Sequence, residues 1–376
     1  MSTAGREPMS ATSPSDLAGS LREAAFVRLV SDATGEALAA TGLLARALED
    51  TPFQVSVVRP FEDSDRTTET DITVAIGRTQ STADVTLTNR VAATAFETAR
   101  ELGATADPAL ALAGTIAAGE AEGTVAEAAE QAGLERRPGV AVPVADLVDG
   151  LAHSTLFVAP FSGDTDAAQA ALAELGLDAD SAQAGDLSAD DRRRLASLVA
   201  LAVTRTDDAP PRAAGTVQRA LRPTAGGPFE TVGGYADVLD AVAREQPGTA
   251  VALALGHETV HDDAVDIWRR HATRAHDAVA DVTTGRYDGL FVARGDAMPT
   301  GTVARLFADY RAPEPVTLVV TDDRAAARAT DGRDVAETMH TAVETVDGDA
   351  VGTGSRARAR FDVSTADFIE AFREAV

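Results

Sequence analysis

The chain has 376 residues, 45% of them hydrophobic, which is enough for two domains with separate cores. Its formal net charge is −26, all 33 of its basic residues are arginine, and it has no cysteine, which excludes a disulfide framework, a thiolate metal site and a cysteine nucleophile. An acidic, lysine-free composition rich in Ala, Asp and Thr looks like that of a halophile's protein; at molar salt the Debye length is about 3 Å, so the acidity is a solvent adaptation and does not exclude nucleic acid.

Residues 1–19 read as a polar, disordered tail without the apolar stretch of a leader peptide. No apolar run reaches the roughly 18 residues of a membrane span, so a cytoplasmic protein without membrane contact is expected. Phe26–Val30 reads as a short apolar strand that runs through the small, acidic turn Ser31–Gly35 into a helix. Leu38, Thr41, Leu44, Ala45 and Leu48 recur there at helical spacing. Such a strand–turn–helix is where α/β folds place phosphate- or metal-binding groups. Asp71–Gly77 reads as a second buried strand and Asp84–Val91 as a third. From Asp107 onward the pattern is helix-rich: Leu110–Ala118, Gly123–Ala132, and Ala189–Ala202 capped by Ser188 with Asp191 three residues on. Leu156–Phe161 is a short apolar segment closed by Pro and Gly.

The Pro- and Gly-containing stretch Thr206–Gly227 reads as a linker. The expected organisation is therefore a first α/β domain over 20–205, a linker over 206–230 and a second domain over 231–376. In the second domain the pattern predicts helix Tyr235–Arg244, strand Thr249–Leu255, helix His261–Ala280, strand Tyr287–Ala293, helix Thr302–Tyr310, strand Val316–Thr321, then a closing strand and helix. That alternation predicts a largely parallel sheet.

His257-Glu258-Thr259-Val260-His261 spells H-E-x-x-H, which on a helix would put two zinc ligands on one face with Glu as general base. It directly follows an apolar run, so it sits at a helix start. Asp262 and Asp263 follow it, and only His271 or His276 is at hand as a third ligand. An acidic first turn favoured by the helix dipole accounts for it better. Arg192–Arg194 and Arg269-Arg270 read as solvated surface faces. Arg356, Arg358 and Arg360 alternate, which in an extended segment turns all three to one side and makes them a candidate nucleic-acid contact.

The three N-terminal segments resemble, in order and spacing, the first three motifs of the DHH phosphoesterase superfamily, which includes the RecJ-type nucleases. Where active members carry His-x-Asp-x-Asp-Gly, this chain has Val30, Asp32, Thr34 and Gly35. Where they carry Asp-x-Gly it has Ala75-Ile76-Gly77, and where they carry Asp-His-His it has Asn89, Arg90 and Val91. At the C-terminus, Thr353–Arg360 resembles the Gly-Gly-His-x-x-Ala-Ala-Gly turn of the DHH-associated domain, with Ser355 for the His and Arg360 for the last Gly. Phe361–Val363 would then be a strand and Thr365–Ala375 the last helix. Ala326–Thr330 resembles the family's Ser-x-Arg strand, with Arg328 kept.

The resemblance implies an α/β protein of two domains: a parallel-sheet DHH domain with a helical insertion, and a DHH-associated C-terminal α/β domain. In active relatives it implies two Mn ions, or Mg, bridged by carboxylates that activate water against a phosphodiester. Here Asp32, a weak metal candidate, is joined only by Asp71 or Asp84, so no catalytic set and no resident cofactor are expected. The implied role is a non-catalytic subunit of DNA replication or repair in the company of GINS and the MCM ring. Arg328, Ser355, Arg356, Arg358 and Arg360 are its candidates for gripping single-stranded DNA. The alternative is a metal-dependent single-strand exonuclease with a reshaped site that uses Asp32, further acids and His153.

Overall fold

A computed structural model describes residues 13–48, 50–62, 71–80, 82–120, 123–177 and 183–376. In chain order the elements are α1 (Pro14–Glu23), β1 (Val27–Asp32), α2 (Gly35–Ala47), β2 (Phe53–Val58), β3 (Ile72–Ile76), β4 (Val85–Leu87), α3 (Val91–Glu101), α4 (Pro108–Ala118), α5 (Thr124–Gln131) and β5 (Glu135–Arg136). There follow α6 (Leu147–His153), α7 (Thr165–Glu174), α8 (Ala189–Thr204), α9 (Ala213–Val217), β6 (Thr224–Ala225), α10 (Val232–Glu245), α11 (Pro247–Ala254) and α12 (His261–Asp281). The chain ends with β7 (Thr283–Tyr287), β8 (Leu290–Arg294), α13 (Thr300–Tyr310), β9 (Val316–Val320), β10 (Arg324–Ala329), α14 (Val335–Val346), β11 (Asp349–Thr353), β12 (Arg356–Arg360) and α15 (Thr365–Ala375).

Packing groups the chain into two compact units that interleave along the sequence instead of meeting at one linker. The first holds residues 1–137, 141–143 and 223–268; the second holds 138–140, 144–222 and 269–376. Within the expected linker, α9 precedes Arg219, and Arg212 donates to the carbonyls of Ala308, Ala312 and Glu314 at the C-terminal end of α13. A guanidinium there satisfies carbonyls that the helix leaves without partners. The expected tail is shorter than 1–19, because α1 starts at Pro14, is capped by Ser13, and buries Leu17, Ala18 and Leu21; residues 1–12 lie outside the described residues.

The first unit is built on a four-stranded sheet in the order β2-β1-β3-β4, and every pair is parallel. Its β1 is buried on both faces from Val27 to Ser31, as a strand covered on both sides is. Helices α2, α3, α4, α10 and α11 bury their apolar residues with the sheet's in a single core. The stretch 249–255, expected as a strand, is the helix α11 instead. Its run of small apolar residues carries no period that separates the two states, Pro247 fits the first helical position, and Ala is the best helix former. The approach is close: a Cβ on Gly42 would lie 2.5 Å from the Ala254 carbonyl oxygen.

The second unit holds a six-stranded sheet in the order β11-β12-β10-β9-β8-β7. The expected parallel arrangement is corrected here: only β8 and β9 run parallel, and the other four pairs are antiparallel. Connection length decides it. β7–β8 and β11–β12 are joined by two residues each and β9–β10 by three, too few for a crossover. The stretch 353–360, expected as a turn, is the end of β11, a tight turn at Gly354-Ser355, and β12. Phe361–Val363 is not a strand; Phe361 leaves the sheet and stacks on Phe368 of α15 with centroids 4.0 Å apart. Helices α14 and α15 cover one face of this sheet, over Leu290, Val316, Leu318, Ala325, Ala327, Ala357 and Ala359.

Candidate functional site

In a parallel sheet, ligands sit beyond the carboxyl ends of the strands. At that end of β1 lies Asp32, half-buried, followed by Thr34, whose hydroxyl caps α2 by accepting from the Ala37 N–H at 3.4 Å. Ala75 is fully buried opposite Val30. Asn89 and Arg90 are exposed, Arg90 with φ +47° as the cap of α3, whereas Val91 is 2% exposed and belongs to the core.

The two other acids of the expected set lie at the opposite end of the sheet. Asp71 precedes β3, level with Phe26, and Asp84 precedes β4, level with Arg28 by register. At roughly 3.3 Å per residue they are offset from Asp32 by about 20 Å and about 13 Å along the strands. Each is already used: Asp71 Oδ2 accepts from the Ala25 N–H and Asp84 Oδ2 from the Thr73 N–H, both at 2.8 Å. The described residues at this edge do not fit a two-metal centre. Among the described residues no group of three or more His, Cys, Asp or Glu side chains is arranged to hold a metal ion.

The helix N-termini at this edge are served by the chain's own carboxylates. Glu36 Oε1 accepts from the N–H groups of Val91 at 2.8 Å and Ala92 at 3.4 Å, at the start of α3. Asp240 Oδ1 accepts from the Gly35 N–H at 3.1 Å, at the start of α2, and is itself held by Arg244 at 3.0 Å. A helix N-terminus favours a negative charge, and here the charge is internal. Glu36 follows the motif glycine directly and could have been suspected from sequence; Asp240, 205 residues from Gly35, could not. Glu36→Ala is expected to cost about 1–2 kcal/mol, read from denaturant unfolding in molar KCl.

H-E-x-x-H does not sit on one helix face. Glu258–Val260 form a single 3-10 turn, and His261, which begins α12, stacks on Phe229 with centroids 5.1 Å apart. His271 lies ten residues further along α12, about 15 Å away at 1.5 Å per residue. It is buried with Nε2 2.9 Å from Thr302 Oγ1, and His276 Nε2 is bound 2.9 Å from the Ser154 carbonyl oxygen.

His153 belongs to the second unit, where its Nδ1 lies 2.9 Å from Asp149 Oδ1. Burial alone would raise the Asp149 pKa, but hydrogen bonds with His153 and Arg269 hold it below the usual carboxylate value. Arg269, expected as a solvated surface residue, thus pairs with Asp149 at 2.6 Å.

The C-terminal arginines do share a face. Along β12, Arg356 and Arg360 are exposed and Arg358 is half-buried, while Ala357 and Ala359 point into the core. Arg360 pairs with Asp349 of the neighbouring β11. Arg356 stands directly opposite Arg328, and Ser355 lies in the turn before it. Arg328 has its pKa lowered to about 10, mainly by burial, against the pull of Asp309 and with Arg356, Arg305 and Arg219 adding to the fall. Arg356, Arg305, Arg219 and Asp309 are thus the charges that act on Arg328, and Asp309 Oδ2 is 3.6 Å from Arg219. Of these, only Arg328 and Arg356 stand out in the sequence. Arg219, in the turn after α9, and Arg305, on α13, come from distant segments that carry no motif.

Residues 282–374 match the family model described as "uncharacterized protein rrnAC1427, C-terminal domain". Over 376 residues, the whole of both chains, the protein is 85% identical to the uncharacterized protein rrnAC1427 of Haloarcula marismortui. Among solved structures, exonuclease RecJ bound to manganese is similar with a TM-score of 0.51 at 14% identity, over 98% of this chain and 94% of that one. CDC45 from Entamoeba histolytica is similar with a TM-score of 0.60 at 8% identity, over 93% of this chain and 95% of that one. At such identities the likeness is one of fold, and the mixed α/β architecture with its parallel sheet and separate C-terminal sheet is RecJ-like. The chain belongs to the family of the Haloarcula marismortui protein rrnAC1427.

Proposed function

We propose that this protein is a non-catalytic RecJ-like subunit of DNA replication or repair that holds single-stranded nucleic acid. The observation that carries the reading is the donor set at the carboxyl edge of the parallel sheet. Asp32 stands there without Asp71 or Asp84, and Glu36 and Asp240 are spent on capping helices. Two-metal hydrolysis needs several carboxylates converging on one point, and the described residues of this edge do not supply them. The second support is the arginine face of β12, where Arg356 and Arg358, with Ser355 in the adjacent turn, are the residues proposed to meet phosphates; Arg360 shares its charge with Asp349, and Arg328 adds its charge beside Arg356 from the neighbouring strand β10. The likeness of fold to CDC45 makes helicase components of the GINS and MCM type the proposed partners.

One experiment tests both halves. The purified chain is offered labelled single-stranded DNA with Mn over a series of KCl concentrations. Binding without nucleotide release is expected. The triple variant Arg356→Gln, Arg358→Gln, Arg360→Gln is expected to bind more weakly. Its slope of log affinity against log salt should flatten by about 0.7 for each phosphate that is no longer neutralised. Release of nucleotides that stops in Asp32→Ala would replace this reading by that of an exonuclease with a reshaped site.

A further inference from the structure

The edge of a sheet offers unpaired N–H and C=O groups, and natural edges are guarded by short length, charge, proline or a bulge. Among the described residues the two larger sheets end in β2, β4, β7 and β11. β4 has only three residues, β7 carries Arg286 and β11 carries Asp349. β2 has none of these guards. It is six residues long, Phe-Gln-Val-Ser-Val-Val, without charge or proline, and it stays in step with β1 at every residue from Phe53 to Val58. Phe and Val are strong strand formers. Phe53 is 37% exposed, and Val55 and Val57 are half-buried.

The backbone shows what this edge offers. The Val27 N–H donates to the Pro52 carbonyl at 3.0 Å. Alternate residues of a strand serve alternate sides, so Pro52, Gln54, Ser56 and Val58 turn their backbone groups to β1, and Phe53, Val55 and Val57 turn theirs outward. An antiparallel strand added there must bond at those three positions. A second copy of β2, related by a two-fold axis at Val55, does so: Val55 meets its own counterpart and Phe53 meets Val57 of the partner subunit. Opposed residues share a face. Phe53 therefore packs an aromatic ring on a β-branched side chain, and Gln54 meets Ser56 of the partner subunit, polar on polar. Continued one residue further, the register brings Arg59 beside the exposed Asp50 of the partner subunit, so opposite charges meet at each end. In a chain where 24% of residues are charged, these six let two copies approach without opposing like charges.

We propose that the protein forms a two-fold dimer by antiparallel pairing of β2 with β2 of a second copy, which joins two four-stranded sheets into one. The proposal stands apart from the DNA-binding reading, whose arginines lie in the other unit. Light scattering of the full chain in molar KCl is expected to give twice the chain mass of 38.7 kDa. Val55→Pro blocks the outward N–H and leaves the bonds to β1, and Phe53→Glu charges the edge. Each is expected to raise the dissociation constant by about tenfold or more, with the far-ultraviolet circular dichroism unchanged. The chain has no cysteine, so a single one placed at the axis can bond only to its own counterpart. Hydrogen-bonded opposed residues have Cα atoms about 5.5 Å apart, within reach of a disulfide. Val55→Cys, oxidised with copper phenanthroline, is expected to run as a covalent dimer on a denaturing gel, whereas Leu201→Cys, exposed on α8, is expected to run as a monomer. Should Val55→Pro fail to fold, Phe53→Glu and the cross-link decide. A wild type that stays monomeric, its edge then left for a strand of another protein, would overturn the proposal, as would a dimer that neither substitution weakens.

Discussion

Trp268→Ala is expected to destabilise the protein by about 3–5 kcal/mol, the range for deleting a large buried aromatic side chain. Trp268 is the chain's one tryptophan, is 0% exposed, and belongs to the core formed with the parallel sheet. Its Nε1–H donates to Asp237 Oδ2 at 2.9 Å, and Asp237 on α10 is itself only 3% exposed. The substitution therefore opens a cavity and also withdraws a donor from a buried carboxylate. Trp268→Phe separates the two effects: it keeps most of the apolar area and removes the hydrogen bond, so a loss of about 1–3 kcal/mol is expected. Both are read from denaturant unfolding followed by far-ultraviolet circular dichroism in molar KCl. A loss below about 1 kcal/mol for Trp268→Ala would mean that this part of α12 is not packed as described.

The second large effect is on pH. His276 on α12 is buried, its Nε2 hydrogen-bonded to the Ser154 carbonyl oxygen and its Nδ1 without a partner. Burial lowers its pKa from 6.5 to about 4; the Ser154 hydrogen bond works against this, and His153, Arg305 and His271 add to the fall. The unfolded chain binds this proton near pH 6.5 and the folded one only near pH 4. The stability it contributes is thus complete above pH 6.5, is lost as pH falls through that interval, and is gone below about 4. The loss attributable to this group is on the order of 3 kcal/mol at about 1.36 kcal/mol per pH unit. Carboxylates titrate in the same range, so the measurement is a comparison. The wild type should lose stability more steeply between pH 6.5 and 4 than His276→Gln, whose amide can still donate to Ser154. Parallel curves for the two proteins would show that His276 titrates normally.

Several features were legible in the chain itself because they rest on local physics. The apolar β1, the amphipathic α2, the cap of α8 at Ser188 and the final helix Thr365–Ala375 follow from periodicity and capping, which act over a few residues. The alternation of arginines along β12 needs only that the segment be extended. Motif spacing led to the RecJ-like architecture.

What the sequence could not decide depended on long-range pairing. The short apolar run of α11 is compatible with strand or helix, and packing against α2 and α10 selects the helix. Strand direction in the C-terminal sheet follows from connections whose lengths are known only once the strand ends are. The compact units interleave because α10, α11 and the start of α12 bury their apolar faces in the core of the parallel sheet, far earlier in the chain. The carboxylates at the candidate edge were the least legible of all. Asp71 and Asp84 are acids of the right kind beside the right strands. Only the register shows that they precede those strands while Asp32 ends its own, and a carboxylate's chemistry depends on which end of the sheet it occupies.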